Sequence, residues 1–246
     1  MQSRIPRIST RGFYDLKSGK TIRKKQYDLY PEKFFEKLGS VPEITIMVHG
    51  LRNNKSGALT KFSIAQSRLR QLGYVHPVVG FSYDSNTKGV QYKSCEKKAT
   101  DTGRIIAKKN GHNLARFITD LKKKFPHLKI RLMGHSLGSE VIMHTLKNLR
   151  SDMVESIYFF GASVPADSLG PEKFGRILQK TVRRKIVNYY SPHDEVLRYA
   201  YESGLIEKPL GYCGASGKSI SKYVQKKVMP KNHRFVSYSA ILKSFP

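Results

Sequence analysis

The sequence predicts an α/β domain in which helices cover both faces of a mostly parallel β-sheet. Strand-like and helix-like apolar patterns alternate along most of the chain, as expected when crossover helices join parallel strands. The length of 246 residues suits one compact domain, and hydrophobic residues make up 39% of the chain, which is typical of globular proteins. We therefore expect a single domain spanning residues 1–246.

Short runs rich in β-branched and aromatic residues predict the strands. They cover residues 43–48, 77–83, 128–133, 156–161 and 185–190, and no later strand is predicted. Before them, segments 7–16 and 21–29 flank a Lys-Ser-Gly-Lys turn. This pattern predicts a β-hairpin within a basic N-terminal region, residues 1–40.

Apolar residues spaced three and four positions apart predict the helices. They cover residues 32–38, 60–72, 100–125, 137–149, 171–182, 195–202 and 237–242. Pro126 ends the longest of them, and Gly111 inside it is a candidate break. The long, glycine-containing stretch 203–232 predicts a lid or loop insertion.

Gly134-His135-Ser136-Leu137-Gly138 lies between a predicted strand and a predicted helix. A Gly-x-Ser-x-Gly pentapeptide alone is a weak signal, and a plain strand–turn–helix connection is the alternative. This context, however, is that of a nucleophile elbow, a tight turn that projects the serine hydroxyl above the sheet. Its glycines avoid collisions with neighbouring elements, and the helix N-terminus favours negative charge. Ser136 is therefore the predicted nucleophile.

His49-Gly50-Leu51 follows the first predicted core strand, upstream of the serine. In an α/β sheet of this kind, such a loop supplies one half of an oxyanion hole. The predicted donors are the backbone amides of Leu51 and Leu137. His49 is expected to orient the loop by hydrogen bonding rather than to act as a base.

The catalytic acid should be a carboxylate that follows a later strand. Asp194 comes after strand 185–190 and before a helix, with Asp167 and Glu195 as competitors. Asp84 precedes the serine and breaks the expected order of serine, acid and histidine.

The base should be a histidine downstream of the acid. After Asp194 the sequence contains one histidine, His233. His233 would accept the proton of Ser136, while Asp194 would hold the tautomer of the ring and stabilise the imidazolium. The predicted triad is therefore Ser136, Asp194 and His233.

Several runs resemble the α/β-hydrolase family found in eukaryotic transmembrane-and-coiled-coil-domain proteins and in related uncharacterised microbial hydrolases. The similar runs are Gly134-His135-Ser136-Leu137-Gly138-Ser139, Phe160-Gly161-Ala162-Ser163-Val164-Pro165, Val187-Asn188-Tyr189-Tyr190-Ser191, Asp194-Glu195-Val196-Leu197-Arg198-Tyr199 and His233-Arg234-Phe235-Val236-Ser237-Tyr238. The resemblance covers residues 44–240 and implies the α/β-hydrolase fold and the same triad. It favours Asp194 over Asp167, because Asp194 lies inside a similar run. It implies no substrate and no membrane role.

Basic residues dominate the charge of the chain, with 45 Lys and Arg against 18 Asp and Glu and a formal net charge of +27. Such a field attracts polyanions, including nucleic acid, an anionic membrane surface or an acidic substrate. A functional basic patch and basic residues spread over solvated helix faces explain the excess equally well.

Other signals exclude several classes of protein. Two cysteines cannot build a disulfide framework, and no apolar run approaches the ~20 residues of a transmembrane segment, so we expect a cytoplasmic protein. No cofactor and no metal are expected. The histidines lack a His-Glu-x-x-His arrangement, and a phosphate-binding loop ending at Gly217-Lys218 would need a glycine where Tyr212 stands.

These residues predict a serine hydrolase that cleaves a carboxylic ester through an acyl-enzyme intermediate, of the esterase, lipase or thioesterase type. Its substrate would be a small-molecule or lipid acyl ester. A peptidase or acyltransferase using the same triad is one alternative. A basic protein that binds polyanions or membrane surfaces on a hydrolase scaffold is the other.

Overall fold

The computed structural model describes residues 5–246 and has a central eight-stranded sheet in that range. The strands are β1 (Arg7–Ser9), β2 (Asp28–Tyr30), β3 (Glu43–Val48), β4 (Val78–Ser82), β5 (Lys129–His135), β6 (Val154–Phe160), β7 (Val182–Tyr190) and β8 (Tyr223–Lys227). Their order across the sheet is β2-β1-β4-β3-β5-β6-β7-β8. Every neighbouring pair is parallel except β1 and β2. The predicted fold class is therefore confirmed.

Helices cover both faces of this sheet. They are α1 (Glu32–Glu36), α2 (Lys55–Gln71), α3 (Glu96–Lys124), α4 (Gly138–Leu146), α5 (Arg176–Thr181), α6 (Glu195–Glu202), α7 (Leu210–Cys213) and α8 (Phe235–Ala240). Apolar side chains of α3 and α4 share one core cluster with Ile46 and Leu132, whereas α2 and α8 share the other with Met47 and Met133. Successive strand residues thus enter opposite cores, because side chains alternate across a sheet.

Helix α3 continues through Gly111 without a break. A Cβ atom added to Gly111 would lie 2.4 Å from Cβ of His144 on α4. The glycine therefore allows the two helices to approach closely, and this packing outweighs the low helix propensity of glycine. Helix α2 begins earlier than the apolar pattern predicts because the side chain of Asn54 caps it, accepting from the Gly57 amide at 2.8 Å.

The N-terminal region forms an antiparallel pair of strands at one edge of the sheet. Strands β1 and β2 pair, and an isolated bridge joins Tyr14 to Thr21. Gly19 lies in the turn with a φ of +70°. Strand β1 also pairs with β4, so this region extends the main sheet. Residues 1–4 of the predicted region 1–40 lie outside the described residues.

The expectation of a lid or loop over 203–232 needs a correction. Part of the segment is β8, which pairs in parallel with β7 along the edge of the sheet. No strand after 185–190 is predicted from the sequence, and β8 is such a strand. Within residues 5–246, no helix is both long enough and apolar enough to cross a membrane.

Candidate active site

Ser136 lies in the sharp turn between β5 and α4 and has a φ of +53°. A non-glycine residue rarely adopts this left-handed conformation, which costs on the order of 1–3 kcal/mol. The surrounding contacts hold it, because the Ser136 amide donates to the Phe160 carbonyl at 3.1 Å and the Ser139 hydroxyl donates to the Ser136 carbonyl at 2.7 Å. The sequence Gly134–Gly138 therefore has the backbone geometry of an elbow.

The two glycines of the elbow are required by close packing. A Cβ atom at Gly138 would lie 2.4 Å from the carbonyl oxygen of Val48, and one at Gly134 would lie 2.7 Å from Cδ1 of Ile142. Gly50 passes equally close to the serine, since a Cβ atom there would lie 2.8 Å from Cβ of Ser136. The C-terminal end of β3 and the loop after it therefore pack closely against the elbow.

Asp194 and His233 meet although they are far apart in the chain. Asp194 follows β7 and caps α6, and His233 lies in the loop before α8. Nδ1 of His233 lies 2.7 Å from Oδ2 of Asp194, and Asp194 is 1% exposed. His233 and Ser136 line the same pocket, and the structure has no hydrogen bond between the ring and the serine hydroxyl. All three predicted triad residues are therefore gathered at one site.

Tyr238 completes the surroundings of the acid, and sequence reasoning gave it no role. Its buried phenol donates to Oδ2 of Asp194 at 2.7 Å, and the Leu197 amide donates to Oδ1 at 3.1 Å. Burial would raise the pKa of Asp194, but hydrogen bonds from His233, Tyr238 and Leu197 outweigh burial and lower it. Asp194 is thereby held as a carboxylate. The available sequence signal was a tyrosine five residues after the candidate base.

His135 supports the loop that carries His233. Its Nε2 lies 2.7 Å from the backbone carbonyl oxygen of His233, and the two rings are 4.9 Å apart. A carbonyl only accepts, so Nε2 carries the proton and Nδ1 is bare. Burial and then the proximity of His233 lower the pKa of His135 to about 3. His135 is therefore neutral and adds no positive charge beside His233.

The competing carboxylates lie in other surroundings. Asp167 is about half exposed and forms an ion pair with Lys173. Asp84 is buried and accepts from the Gly12 amide at 2.8 Å. Glu195 lines the pocket but is exposed, and the hydrogen bond to His233 comes from Asp194.

The two predicted oxyanion donors flank the serine. Leu51 and Leu137 line the pocket with Ser136. In the part of the chain that the structure describes, no protein acceptor binds the amide of Leu51 or Leu137. Neither amide is therefore committed to an acceptor within residues 5–246 of the protein.

His49 has a structural role in this loop. Its buried ring stacks on Tyr83 with centroids 4.5 Å apart, and its Nε2 accepts from the Tyr83 amide at 3.2 Å. Its Nδ1 donates to the Gly50 carbonyl at 3.0 Å. Burial and the charge of Arg11 hold the pKa of His49 well below its ordinary value. The neutral ring therefore fixes the loop that carries Leu51.

The pocket beside Ser136 has a volume of about 330 Å³ and a largely apolar lining. It is formed by the loop after β3, the first turns of α3, the elbow, α6 and the turn after α6. Its apolar side chains are Leu51, Leu137, Val196, Leu197, Ala200, Leu205 and Ile206. A concave, mostly apolar site with a few polar groups at one end is typical of small-molecule binding. Among residues 5–246, no cluster of three or more His, Cys, Asp or Glu side chains is arranged to hold a metal ion.

Comparison with known proteins identifies relatives of this chain. The sequence profile of the family described as "Alpha/beta hydrolase of unknown function (DUF900)" matches residues 31–221, more than half of the chain. An uncharacterized protein of Nostoc sp. is 29% identical over 143 residues, which cover 49% of this chain and 35% of that protein. A phospholipase A1 of Solenopsis invicta is 28% identical over 150 residues, which cover 58% of this chain and 41% of that protein. The chain thus spans less than half the length of these two relatives.

Solved structures with a similar arrangement share little sequence with this chain. A Thermus thermophilus protein, TT1662, has a TM-score of 0.48 and 15% identity, covering 82% of this chain and 86% of that one. The Bacillus licheniformis lipase BlEst2 has a TM-score of 0.45 and 13% identity, covering 82% and 89%. A lipase-esterase related protein of Clostridium acetobutylicum has a TM-score of 0.42 and 14% identity, covering 81% and 90%.

Proposed function

The chain belongs to the α/β-hydrolase family DUF900, and we propose that it is a serine hydrolase that cleaves carboxylic esters. One observation carries this proposal. The strained Ser136 opens onto a pocket that it shares with His233, and the ring of His233 is bonded to the buried carboxylate of Asp194 at 2.7 Å. A nucleophile, a base and a group that orients the base are the parts that acyl transfer needs.

The first half of the reaction forms an acyl-enzyme. Nε2 of His233 accepts the proton of the Ser136 hydroxyl while Oγ attacks the ester carbonyl carbon. The amides of Leu51 and Leu137 donate to the developing oxyanion. The carbon–oxygen bond to the alcohol then breaks, and the alcohol leaves with the proton from His233.

The second half releases the acid. Water gives a proton to His233 and attacks the acyl carbon, and the Ser136 oxygen leaves and takes the proton back. Asp194 stays ionised throughout and keeps the His233 proton on Nδ1, so that Nε2 is free to accept. The lowered pKa of Asp194 agrees with this role.

An ester substrate is supported by the apolar lining of the pocket and by the name of one relative, phospholipase A1. A peptidase needs a site for a peptide backbone, and an acyltransferase needs a second acceptor site. Neither alternative has a separate observation in its favour.

Labelling with a fluorophosphonate probe, together with hydrolysis of p-nitrophenyl esters, tests the proposal. Ser136→Ala should abolish labelling and lower ester turnover by at least about a thousandfold. Ser151→Ala, at an exposed turn, is the matched control and should behave like the parent. Labelling that persists in Ser136→Ala contradicts the nucleophile. Labelling at Ser136 without turnover of any ester contradicts ester hydrolysis and favours other acyl chemistry.

A further inference from the structure

One wall of the pocket is built by α6 and the turn that follows it. Val196, Leu197 and Ala200 line the pocket from the helix, and Leu205 and Ile206 line it from the turn. All five side chains are apolar. Val196 is 53% exposed, so the wall also reaches the outer surface of the protein.

The local sequence explains why this turn folds back onto α6. Gly204 follows the helix with a φ of +66°, and its amide donates to the Tyr201 carbonyl at 2.9 Å. The Leu205 amide donates to the Ala200 carbonyl, also at 2.9 Å. These two bonds form a Schellman motif, which returns the residue after the glycine to the helix surface. Leu205 is 8% exposed as a result, and backbone hydrogen bonds hold the wall in place.

Both arginines that line the pocket form ion pairs with carboxylates, and the remaining carboxylate of the lining, Glu195, is exposed. Arg52 contacts Glu96 at 2.6 Å, and Arg104 contacts Glu140 at 3.2 Å. The Tyr199 phenol donates to the other oxygen of Glu96 at 3.0 Å. Because a carboxylate already balances the charge of each guanidinium, the two arginines add little net positive charge to attract an anionic substrate group. The wall instead favours an uncharged, apolar group.

We propose that this pocket binds the acyl chain of a medium-chain ester of about six to ten carbons. The inference rests on the proposed ester hydrolysis at Ser136. A volume of about 330 Å³ holds roughly ten groups the size of a water molecule, and a methylene group is of similar size. Part of this room is needed for the ester group itself.

Burial of the acyl chain sets the expected selectivity among esters of different length. Each methylene that enters the pocket leaves water and should raise kcat/KM roughly fourfold. The rise should stop once the pocket is full, because further carbons remain in solvent. An enzyme of this kind therefore discriminates by chain length rather than by the charge of the acyl group.

Ala200 is the smallest residue of the wall and should limit the length of the acyl chain that the pocket accepts. Ala200→Phe adds a ring of six carbons inside the pocket and should move the preferred chain at least two carbons shorter. Leu205→Ala enlarges the pocket and should move the preferred chain longer. This second variant keeps the test decisive if the larger side chain disrupts folding. Ala240→Phe makes the same change at an exposed position of α8 and is the matched control.

The experiment compares kcat/KM for p-nitrophenyl esters from acetyl to palmitoyl in these proteins. We expect the parent and Ala240→Phe to peak at the same medium length, with the two pocket variants shifted in opposite directions. A parent profile that is flat or falls from acetyl onward overturns the inference, as do pocket variants that keep the parent profile. In those cases Ser136 is still labelled and esters are still cleaved. If the proposed function itself is wrong, the result is different, because no ester of any length is hydrolysed.

Discussion

Replacing Asp194 with asparagine tests whether this residue is the acid of a triad. Oδ2 of Asp194 accepts from the His233 ring and the Tyr238 phenol, both at 2.7 Å, and Oδ1 accepts from the Leu197 amide at 3.1 Å. All three partners donate. A carboxylate can accept from all of them, whereas a side-chain amide has one accepting oxygen and a donating NH₂ group.

The new amide can take two orientations. With its NH₂ group toward Leu197, two donors face each other and α6 loses its cap, which costs about 1 kcal/mol. With its oxygen toward Leu197, the NH₂ group faces His233 and Tyr238. The phenol can rotate to accept, but the ring must move its proton from Nδ1 to Nε2. This second orientation keeps the cap and is favoured, and it leaves Nε2 unable to accept the proton of Ser136.

A ring held in the wrong tautomer should lower kcat by about 10⁴-fold, which corresponds to about 5.5 kcal/mol in the activation barrier. The loss in folding stability should be smaller, about 1–3 kcal/mol, because one charge-assisted network is weakened and the fold is otherwise unchanged. In this variant the loss of activity should therefore be much larger, in free energy, than the loss of folding stability.

The assay measures kcat for a p-nitrophenyl ester and unfolding in urea for Asp194→Asn and for Asp167→Asn. The second variant is the matched control, because Asp167 is half exposed and paired with Lys173 away from the site. We expect Asp167→Asn to keep the parent's activity. An Asp194→Asn protein that retains about a tenth of the parent's kcat, or an equal loss in both variants, would refute the assignment.

Two further predictions concern stability. Tyr238→Phe should lower the free energy of unfolding by about 1–3 kcal/mol at neutral pH, with a smaller loss as the pH falls through the lowered pKa of Asp194 and the carboxylate gains a proton. Urea melts over a pH series measure this, and a loss independent of pH would contradict it. Glu43→Gln should cost about 3 kcal/mol, because Arg131 loses its buried partner at 2.6 Å. The pairing with Arg131 outweighs burial and lowers the pKa of Glu43, so the parent should lose this stability in acid and the variant should not. Equal acid sensitivity in both proteins would argue against the pair.

The core of the fold was predictable because its strands are buried on both faces. Each residue of β3 is buried, and four of its six residues are large and apolar, so the segment stands out from its surroundings. The meeting of Asp194 and His233 was also predictable, since chain order left one histidine downstream of the acid. Its role in catalysis stays a proposal.

Other features depend on tertiary contacts that a sequence pattern does not encode. Strand β8 is an edge strand with four exposed residues, so its position follows from backbone pairing with β7 rather than from an apolar pattern. The bond from Tyr238 joins residues 44 positions apart, and a tyrosine in a short helix looks like an ordinary core residue. Leu205, which forms part of the pocket wall, lies in the stretch 203–232, whose sequence predicts only a lid or loop.

The position of Asp194 at the start of α6 links proton binding to the shape of the pocket. The same carboxylate holds the His233 ring and caps the helix that carries Val196 and Ala200. A proton taken up by Asp194 would therefore weaken both the base and the pocket wall. Such coupling is reciprocal, so a ligand that stabilises α6 must also make Asp194 harder to protonate. The free energy of this coupling is at most about 1 kcal/mol, which is the contribution of the Asp194 cap to the helix. Binding in the pocket should therefore favour the ionised form of Asp194, which is the form that the proposed reaction requires.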